Sequence, residues 1–208
     1  MRTPYESDTA AQLRPRRMTQ CRHRLPVYLA AVLVLLSCSA WKLAAQNPKP
    51  TEYEVEAAYL FNFGKFVSWP QQEATSRGPF TICVLGDDPF GTVLDRTTAG
   101  EAIGDKKVID RRISRPQDAV GCSILYIGDS EAEQLGRVLA AVKDAPALTV
   151  SNVPGFLERG GMIQFVLENG RVRFGVNLSP TQQHGLILSS ELLKVAVKVT
   201  RIAGQEGQ

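Results

Sequence analysis

Two segments of the chain repeat one plan, in which a short apolar strand is followed by a tight glycine turn and a helix start. The first is residues 80–86, after which Asp88 and Pro89 are typical of a helix N-cap and a first helical position. The second is residues 122–128, followed by Asp129. A short buried strand with a helix after it is half of a βαβ unit. We therefore predict two neighbouring parallel strands.

Further predicted elements extend this pair in both directions along the chain. Helical patterns cover residues 51–68, 89–98 and 130–143, and extended patterns cover residues 107–113 and 147–151. The alternation of strand and helix predicts a parallel sheet with helices packed on it.

The first predicted helix carries acids in its opening turns and aromatic residues along one side. Glu52, Glu54 and Glu56 lie near its N-terminus, where the helix dipole favours negative charge. The aromatic cluster that ends at Trp69 is predicted to be core rather than a ligand site. Its apolar side is expected to pack on the sheet and consists of Val55, Tyr59, Phe63, Phe66 and Val67.

The pattern changes in the last third of the chain. Residues 162–167 and 171–176 are apolar runs joined by Asn169-Gly170, a dipeptide that strongly favours a β-hairpin. A last helix is predicted to begin near Ser189. Its apolar residues are expected to face the sheet and are Leu192, Leu193, Val195, Ala196 and Val199. The predicted fold class is α/β, an open three-layer sheet with parallel strands from βαβ units, followed by an antiparallel hairpin and a C-terminal helix.

The first 45 residues resemble an export signal. They hold seven of the 24 basic residues and an apolar run at residues 27–36, which has the length of a signal h-region and is short for a bilayer span. Without them the chain has 17 basic and 19 acidic residues, so its net charge gives no argument for a nucleic-acid partner. Cleavage is expected after Ala40 or Ala45. Lipidation of Cys38 and an uncleaved anchor are alternatives, and Met18 is an alternative start.

These boundaries divide the chain into four parts. They are an N-terminal extension with the export signal (1–45), a linker (46–50), one domain (51–203) and a disordered tail (204–208). The predicted location of the domain is the periplasm.

Two cysteines, Cys83 and Cys122, lie in the predicted mature chain. An even cysteine count in an exported chain favours a disulfide. Neighbouring parallel strands lie about 4.8 Å apart, close to the roughly 4.4–6.8 Å that disulfide Cα atoms prefer. We place both cysteines near the amino ends of their strands, whereas ligands of open parallel sheets bind at the carboxyl ends. Because a CxxC spacing is also absent, the sequence favours a structural bridge over a redox site.

The sequence contains no convincing catalytic constellation. Asp87, Asp88 and Asp129 follow strand ends and could converge on Mg²⁺, but the last two are explained as helix caps. His184 is the one histidine of the predicted domain, no GxSxG elbow accompanies it, and zinc ligands are lacking. We predict no enzymatic activity, no cofactor and no metal, and on chemistry alone a small exported binding domain.

Several blocks of the sequence, taken in order, resemble the YfiR-like family over roughly residues 51–202. They are Glu56-Ala-Ala-Tyr-Leu-Phe-Asn-Phe-Gly-Lys-Phe-Val-Ser-Trp-Pro70, Ile82-Cys-Val-Leu-Gly-Asp-Asp-Pro-Phe-Gly91, Cys122-Ser-Ile-Leu-Tyr-Ile127, Leu148-Thr-Val-Ser151, Gly160-Gly-Met-Ile-Gln-Phe165, Val172-Arg-Phe-Gly-Val-Asn177 and Leu188-Ser-Ser-Glu-Leu-Leu193.

The resemblance implies a periplasmic α/β protein without enzymatic activity. The best-known member of the family represses a membrane-bound diguanylate cyclase by binding its periplasmic sensor domain, and it responds to envelope redox state through its disulfides. Cys83 and Cys122 match the family's common cysteine pair, which implies a structural and redox-sensitive bridge. Some members carry a second pair near the glycines at 160–161. This chain lacks it, which weakens the case for redox switching.

Our first hypothesis is therefore a periplasmic regulator of a membrane-bound diguanylate cyclase or another inner-membrane signalling protein. The contact surface is expected on the helix of residues 59–69 or on the strand of residues 171–173. The candidate partner-binding residues are Tyr59, Asn62, Lys65, Trp69, Arg171 and Arg173. A homodimer is a further candidate assembly. The alternative hypothesis is an exported protein that binds a small molecule or an envelope ligand and has no cyclase partner.

Overall fold

A central sheet with helices on both faces forms the part of the chain that this computed structural model describes, residues 49–69 and 78–202. The predicted export signal with Cys38, most of the predicted linker and the predicted tail lie outside these residues. Among the described residues, no helix combines the length and the apolar character needed to cross a bilayer.

The helices and strands follow one another in a mixed α/β order. They are α1 (Glu52–Phe66), β1 (Val67–Ser68), β2 (Phe80–Leu85), α2 (Thr92–Thr98), β3 (Ala102–Ile103), β4 (Lys106–Ile113), β5 (Ile124–Ile127), α3 (Leu135–Ala141), β6 (Leu148–Ser151), β7 (Ile163–Glu168), β8 (Arg171–Asn177), α4 (Leu178–Gln183), β9 (Ile187–Leu188), α5 (Ser190–Val195) and β10 (Lys198–Thr200). Short 3₁₀ turns span Pro116–Ala119 and Asp129–Glu131.

The main sheet has the strand order β10-β8-β7-β6-β5-β2-β4-β3. Strands β4, β2, β5, β6 and β7 run parallel to their neighbours in this series. Strand β8 is antiparallel to β7, as expected from the hairpin, and its turn residues Asn169 and Gly170 have φ angles of 51° and 68°. Positive φ at both turn positions is the type I′ geometry that Asn-Gly favours. Strands β1 and β9 form a separate antiparallel ribbon.

Strand β2 shows why the fold has three layers. All six of its residues are buried, and its side chains alternate between the two faces of the sheet. Ile82 and Val84 belong to a core that includes Phe63 of α1, whereas Leu85 belongs to a second core that includes Leu135 of α3. The predicted fold class is confirmed, and so is the predicted parallel pairing of β2 with β5.

The helix start predicted at Asp88 is wrong. Helix α2 begins at Thr92, and Asp88 Oδ1 instead accepts a hydrogen bond from the Phe90 amide at 2.8 Å. Its other oxygen, Oδ2, accepts from Arg112 Nε at 2.8 Å. An aspartate that bonds its own backbone two residues ahead stabilises a turn, so the helix starts later.

The helix start predicted at Asp129 is also wrong. Asp129 opens a 3₁₀ turn, α3 begins only at Leu135, and it ends at Ala141 rather than at Lys143. The hydroxyl of Ser130 is not available as a cap because it accepts a hydrogen bond from the Asp87 amide at 2.9 Å.

The C-terminal segment contains a strand that the sequence did not indicate. Helix α5 ends at Val195, and β10 then pairs parallel with β8. Leu192 is buried as expected, but Val195 and Val199 are 55% and 44% exposed, contrary to expectation. The fully buried Asn177 explains the strand, because its amide exchanges two 2.9 Å hydrogen bonds with the backbone of Ile202. This tie holds the chain end at the edge of the sheet.

Candidate functional site

A buried disulfide joins Cys83 and Cys122, with their Cα atoms 5.8 Å apart. Both side chains are buried and lie in the core that includes α3. We predicted both cysteines near the amino ends of their strands. Cys122 lies two residues before β5, in agreement with this prediction, but Cys83 is the fourth of the six residues of β2. The burial of both sulfurs favours a structural bridge over an exposed redox centre.

Arg111 of β4 lies against this disulfide. Its Nη2 is 3.2 Å from the sulfur of Cys122 and 3.6 Å from that of Cys83. The same nitrogen donates to the carbonyls of Asp118 and Val120 at 2.8 and 3.0 Å. Arg111 therefore fixes the loop before Cys122 and covers the bridge from the edge of the sheet.

The carboxyl ends of β2 and β5 lie where the strand order reverses direction, which is the usual ligand crevice of such sheets. Here the two following loops contact each other directly. The Gly128 amide donates to the Leu85 carbonyl at 2.9 Å, and a Cβ atom at Gly128 would lie 2.7 Å from the Asp87 carbonyl oxygen. The two loops therefore pack backbone against backbone at this point, and the close approach requires glycine at position 128.

The side chains considered for catalysis make contacts that support the fold. Asp88 pairs with Arg112, which also contacts Asp95 and Asp110. In the regions that the structure covers, no cluster of three or more potential ligands could hold a metal ion. His184 Nδ1 donates to a backbone carbonyl of the preceding helix α4 at 2.7 Å.

A buried acid lies beside the carboxyl end of β5. Glu56, on the inner side of α1, is 1% exposed, and Tyr126 of β5 is fully buried. Within the described structure, neither Oε2 of Glu56 nor the Tyr126 hydroxyl has a hydrogen-bond partner. Burial raises the pKa of Glu56 to about 8, and the negative charges of Glu52 and Asp129 add to the rise. From the sequence, Glu56 was expected to be one of the acids that the helix dipole stabilises, and its burial was not predicted.

Two of the six candidate partner-binding residues belong to the core or pack against it. The half-buried Tyr59 ring packs against Phe63, Phe165 and Phe174 at centroid distances of 5.9, 6.0 and 5.3 Å. Trp69 is 6% exposed and meets the edge of another buried aromatic ring at 5.1 Å. Both side chains dock α1 and the segment after it on the sheet.

The other four candidates lie on two opposite faces of the sheet. Lys65 is exposed on α1, with its ammonium 4.1 Å from the centre of the Phe61 ring, and Asn62 is half-buried on the same helix. Arg171 and Arg173 are exposed on β8 and alternate with residues that face α1. Because side chains of a strand alternate between faces, the arginines point away from α1. Asn62 and Lys65 therefore do not share a surface with Arg171 and Arg173.

Two exposed apolar side chains, at the end of α1 and in the β1–β9 ribbon that follows it, were not expected. Phe66, which was predicted to face the core, is 41% exposed at the end of α1, and Ile187 of β9 is 60% exposed. The pairing of Ser68 with Ile187 places Ile187 on the outer side of the β1–β9 ribbon, opposite the buried Val67. We call Lys65, Phe66 and Ile187 the ribbon surface. No sequence pattern indicated it, because a two-residue strand is too short to give a periodic signal.

An open cleft of about 480 Å³ lies between the end of α1 and the β3–β4 turn. Its lining includes Lys65, Lys106 and Asp105 and the buried rings of Trp69 and Phe80. It combines two basic side chains and one acidic side chain with two aromatic rings.

The fold resembles those of several solved proteins at low sequence identity. They include a conserved domain protein from Vibrio cholerae (12% identity, TM-score 0.46, 58% of this chain and 54% of that one). Another is a Streptococcus pneumoniae ABC domain in complex with L-Trp (12%, 0.48, 69% and 60%). A third is a ligand-free, open substrate-binding protein with adhesive properties from Clostridium difficile (13%, 0.40, 64% and 58%). The chain thus spans little more than half the length of these proteins, and such distant likeness carries no information about function.

Comparison of the sequence with known proteins gives a clearer result. No curated protein matches the chain. The family model described as YfiR/HmsC-like matches residues 53–197, which include all of α1 except Glu52, every strand of the main sheet except β10, and both cysteines of the disulfide. The chain belongs to the YfiR/HmsC-like family.

Proposed function

We propose that this protein is a non-enzymatic periplasmic regulator that holds a membrane-bound diguanylate cyclase inactive by binding the periplasmic sensor domain of that enzyme. The observation that carries the proposal is the family match over residues 53–197, since the family is regulatory rather than catalytic. The buried disulfide supports an exported protein, because disulfides persist in oxidising compartments. Residues 1–45 would supply the export signal.

The ribbon surface is the contact region that we favour. Protein interfaces are commonly centred on apolar or aromatic side chains with charged residues at the rim. Phe66 and Ile187 supply exposed apolar area beside the positive charge of Lys65. Arg171 and Arg173, on the opposite face, form the competing surface.

Charge reversal distinguishes the two surfaces. Lys65→Glu should weaken partner binding about ten- to a hundredfold, because reversing a charge at an interface places like charges together. Cyclic di-GMP in the native cell should then rise towards the level of a deletion strain. Arg171→Glu, an exposed reversal on the other face, should leave the level near that of wild type.

The opposite pattern would move the contact to β8, and full repression by both variants would contradict both surfaces. Lys143→Glu, at an exposed position just after α3, is the control for a general effect of charge. Circular dichroism of each variant must show that the protein is folded.

The cleft beside Lys65 and Trp69 favours a second candidate function, an exported protein that binds a small molecule or an envelope ligand. Its two lysines and two aromatic rings, together with the acidic Asp105, suit ligands that carry charged groups and an apolar part. A thermal shift with amino acids or cell-wall fragments, in the absence of any membrane protein that co-purifies, would favour this function over the first.

A further inference from the structure

Glu56 is surrounded by groups of one charge type. Glu52 and Tyr53 lie on its own helix, Tyr126 faces it from β5, and Asp129 acts on it from the turn after β5. All of these groups are acidic or become negative when they ionise. Within the described residues, Glu56 forms no salt bridge. The Tyr126 hydroxyl would favour a negative charge on this carboxyl, but no cation among the described residues pairs with it.

The neighbourhood of Glu56 is also closed to water. The Tyr126 ring meets the edge of Phe90 at 4.7 Å, and Phe90 meets the edge of Tyr53 at 6.1 Å. Glu56 itself is 1% exposed, and Phe90 and Tyr126 are buried as well, so water has little access to the acid. An ionised carboxylate here would lose its hydration without gaining a partner, which is among the most unfavourable arrangements in a protein core.

The pKa of Glu56 agrees with this geometry. Burial raises it to about 8, with further contributions from Glu52 and Asp129. The nearby Tyr126 hydroxyl opposes the rise, but it is not placed for a good hydrogen bond, and burial prevails. Because the pKa is higher in the folded protein than in the open chain, protonation favours the docked helix. That advantage is complete at acidic pH and is lost as the pH rises towards about 8.

We propose that Glu56 is a proton-operated latch for helix α1. When its carboxyl is neutral, the N-terminal half of α1 packs on β5. In alkaline medium the carboxyl loses its proton, and this half of the helix opens so that the charge reaches water. If the proposed regulatory function is also correct, the same helix carries Lys65 at its other end, so the latch would link pH to the ribbon surface. The latch itself does not depend on that function.

Hydrogen exchange of the purified protein with its disulfide intact tests the latch. After correction for intrinsic exchange, the protection factors of the amides in residues 52–60 should fall about tenfold per pH unit between about pH 5 and pH 8. In Glu56→Gln they should be independent of pH, and at about pH 8 higher than in wild type. Glu133→Gln, which changes an exposed glutamate, should behave as wild type.

Glu56→Met is a second neutral variant that serves if Gln is poorly tolerated at this position. A carboxyl ¹³C titration of the wild-type protein provides evidence without any variant, and the Glu56 signal should have a midpoint well above 7. Protection that does not change with pH, or a midpoint near the ordinary value of about 4.3, would overturn the proposal.

Discussion

Cys83→Ser is expected to lower the free energy of unfolding by about 4 kcal/mol. The bridge joins residues 39 positions apart and so restricts the conformations of the unfolded chain, and the variant removes this restriction. For a domain of this size the loss corresponds to a fall in melting temperature of about 10 °C. Reduction of the wild-type protein should produce a similar fall, since both treatments open the same loop. Urea denaturation and thermal melting measure both effects.

Reductant supplies the matched control for this prediction. It should have little effect on Cys83→Ser, whose loop is already open, and a large effect on the wild type. Thiol titration of protein purified from the periplasm should find no free thiol under native conditions. Two free thiols, or a wild-type melting temperature that reductant leaves unchanged, would contradict the structural role of the bridge.

Phe63→Ala is expected to cost about 3–5 kcal/mol of stability, because it removes a fully buried ring and leaves a cavity between α1 and the sheet. The Phe63 ring packs on Phe165 and Phe174 of the hairpin at 5.9 and 5.1 Å. It therefore joins the first helix of the domain to strands about a hundred residues later. Equilibrium unfolding in urea gives the difference directly.

Phe66→Ala is the control, since it truncates the same residue type three positions later on the same helix. Phe66 is 41% exposed, so its loss should change stability by no more than about 1 kcal/mol. Equal losses at the two positions would show that the assignment of inner and outer faces of α1 is incorrect.

The strands and the disulfide were predictable because their signals are local. Residues 80–85 and 124–127 are short apolar runs between turn residues, and Asn169-Gly170 is a hairpin turn whose chemistry depends on two residues alone. The bridge followed from an even cysteine count in a chain that was predicted to be exported and from the expected pairing of β2 with β5.

Features that depend on distant residues were not predictable from the sequence. Strand β10 exists because Asn177 binds the backbone of Ile202, a contact between two residues 25 positions apart. Asp88 and Ser130 have the chemistry of helix caps, but they bind neighbouring loops and strands instead. Each of these side chains could either cap a helix or bind another segment of the chain. In the folded protein it binds the other segment, which the local sequence does not indicate.

The two features to which we propose a function, the buried Glu56 and the ribbon surface, differ in whether the sequence indicated them. The burial of Glu56 left a signal, because the residue precedes Leu60 by four positions and Phe63 by seven, which is the spacing of one helix face. Because the helix dipole also explains an acid in the first turns of α1, this spacing did not lead to a prediction of burial. The ribbon surface left none, because the exposure of Phe66 and Ile187 follows from a pairing of two-residue strands far apart in the chain.

The level of cyclic di-GMP in the native cell, with and without this gene, tests the proposed regulatory function most directly. We predict that the level rises on deletion, that a copy with its export signal restores it, and that a copy confined to the cytoplasm does not. An unchanged level on deletion under several envelope stresses would contradict the account.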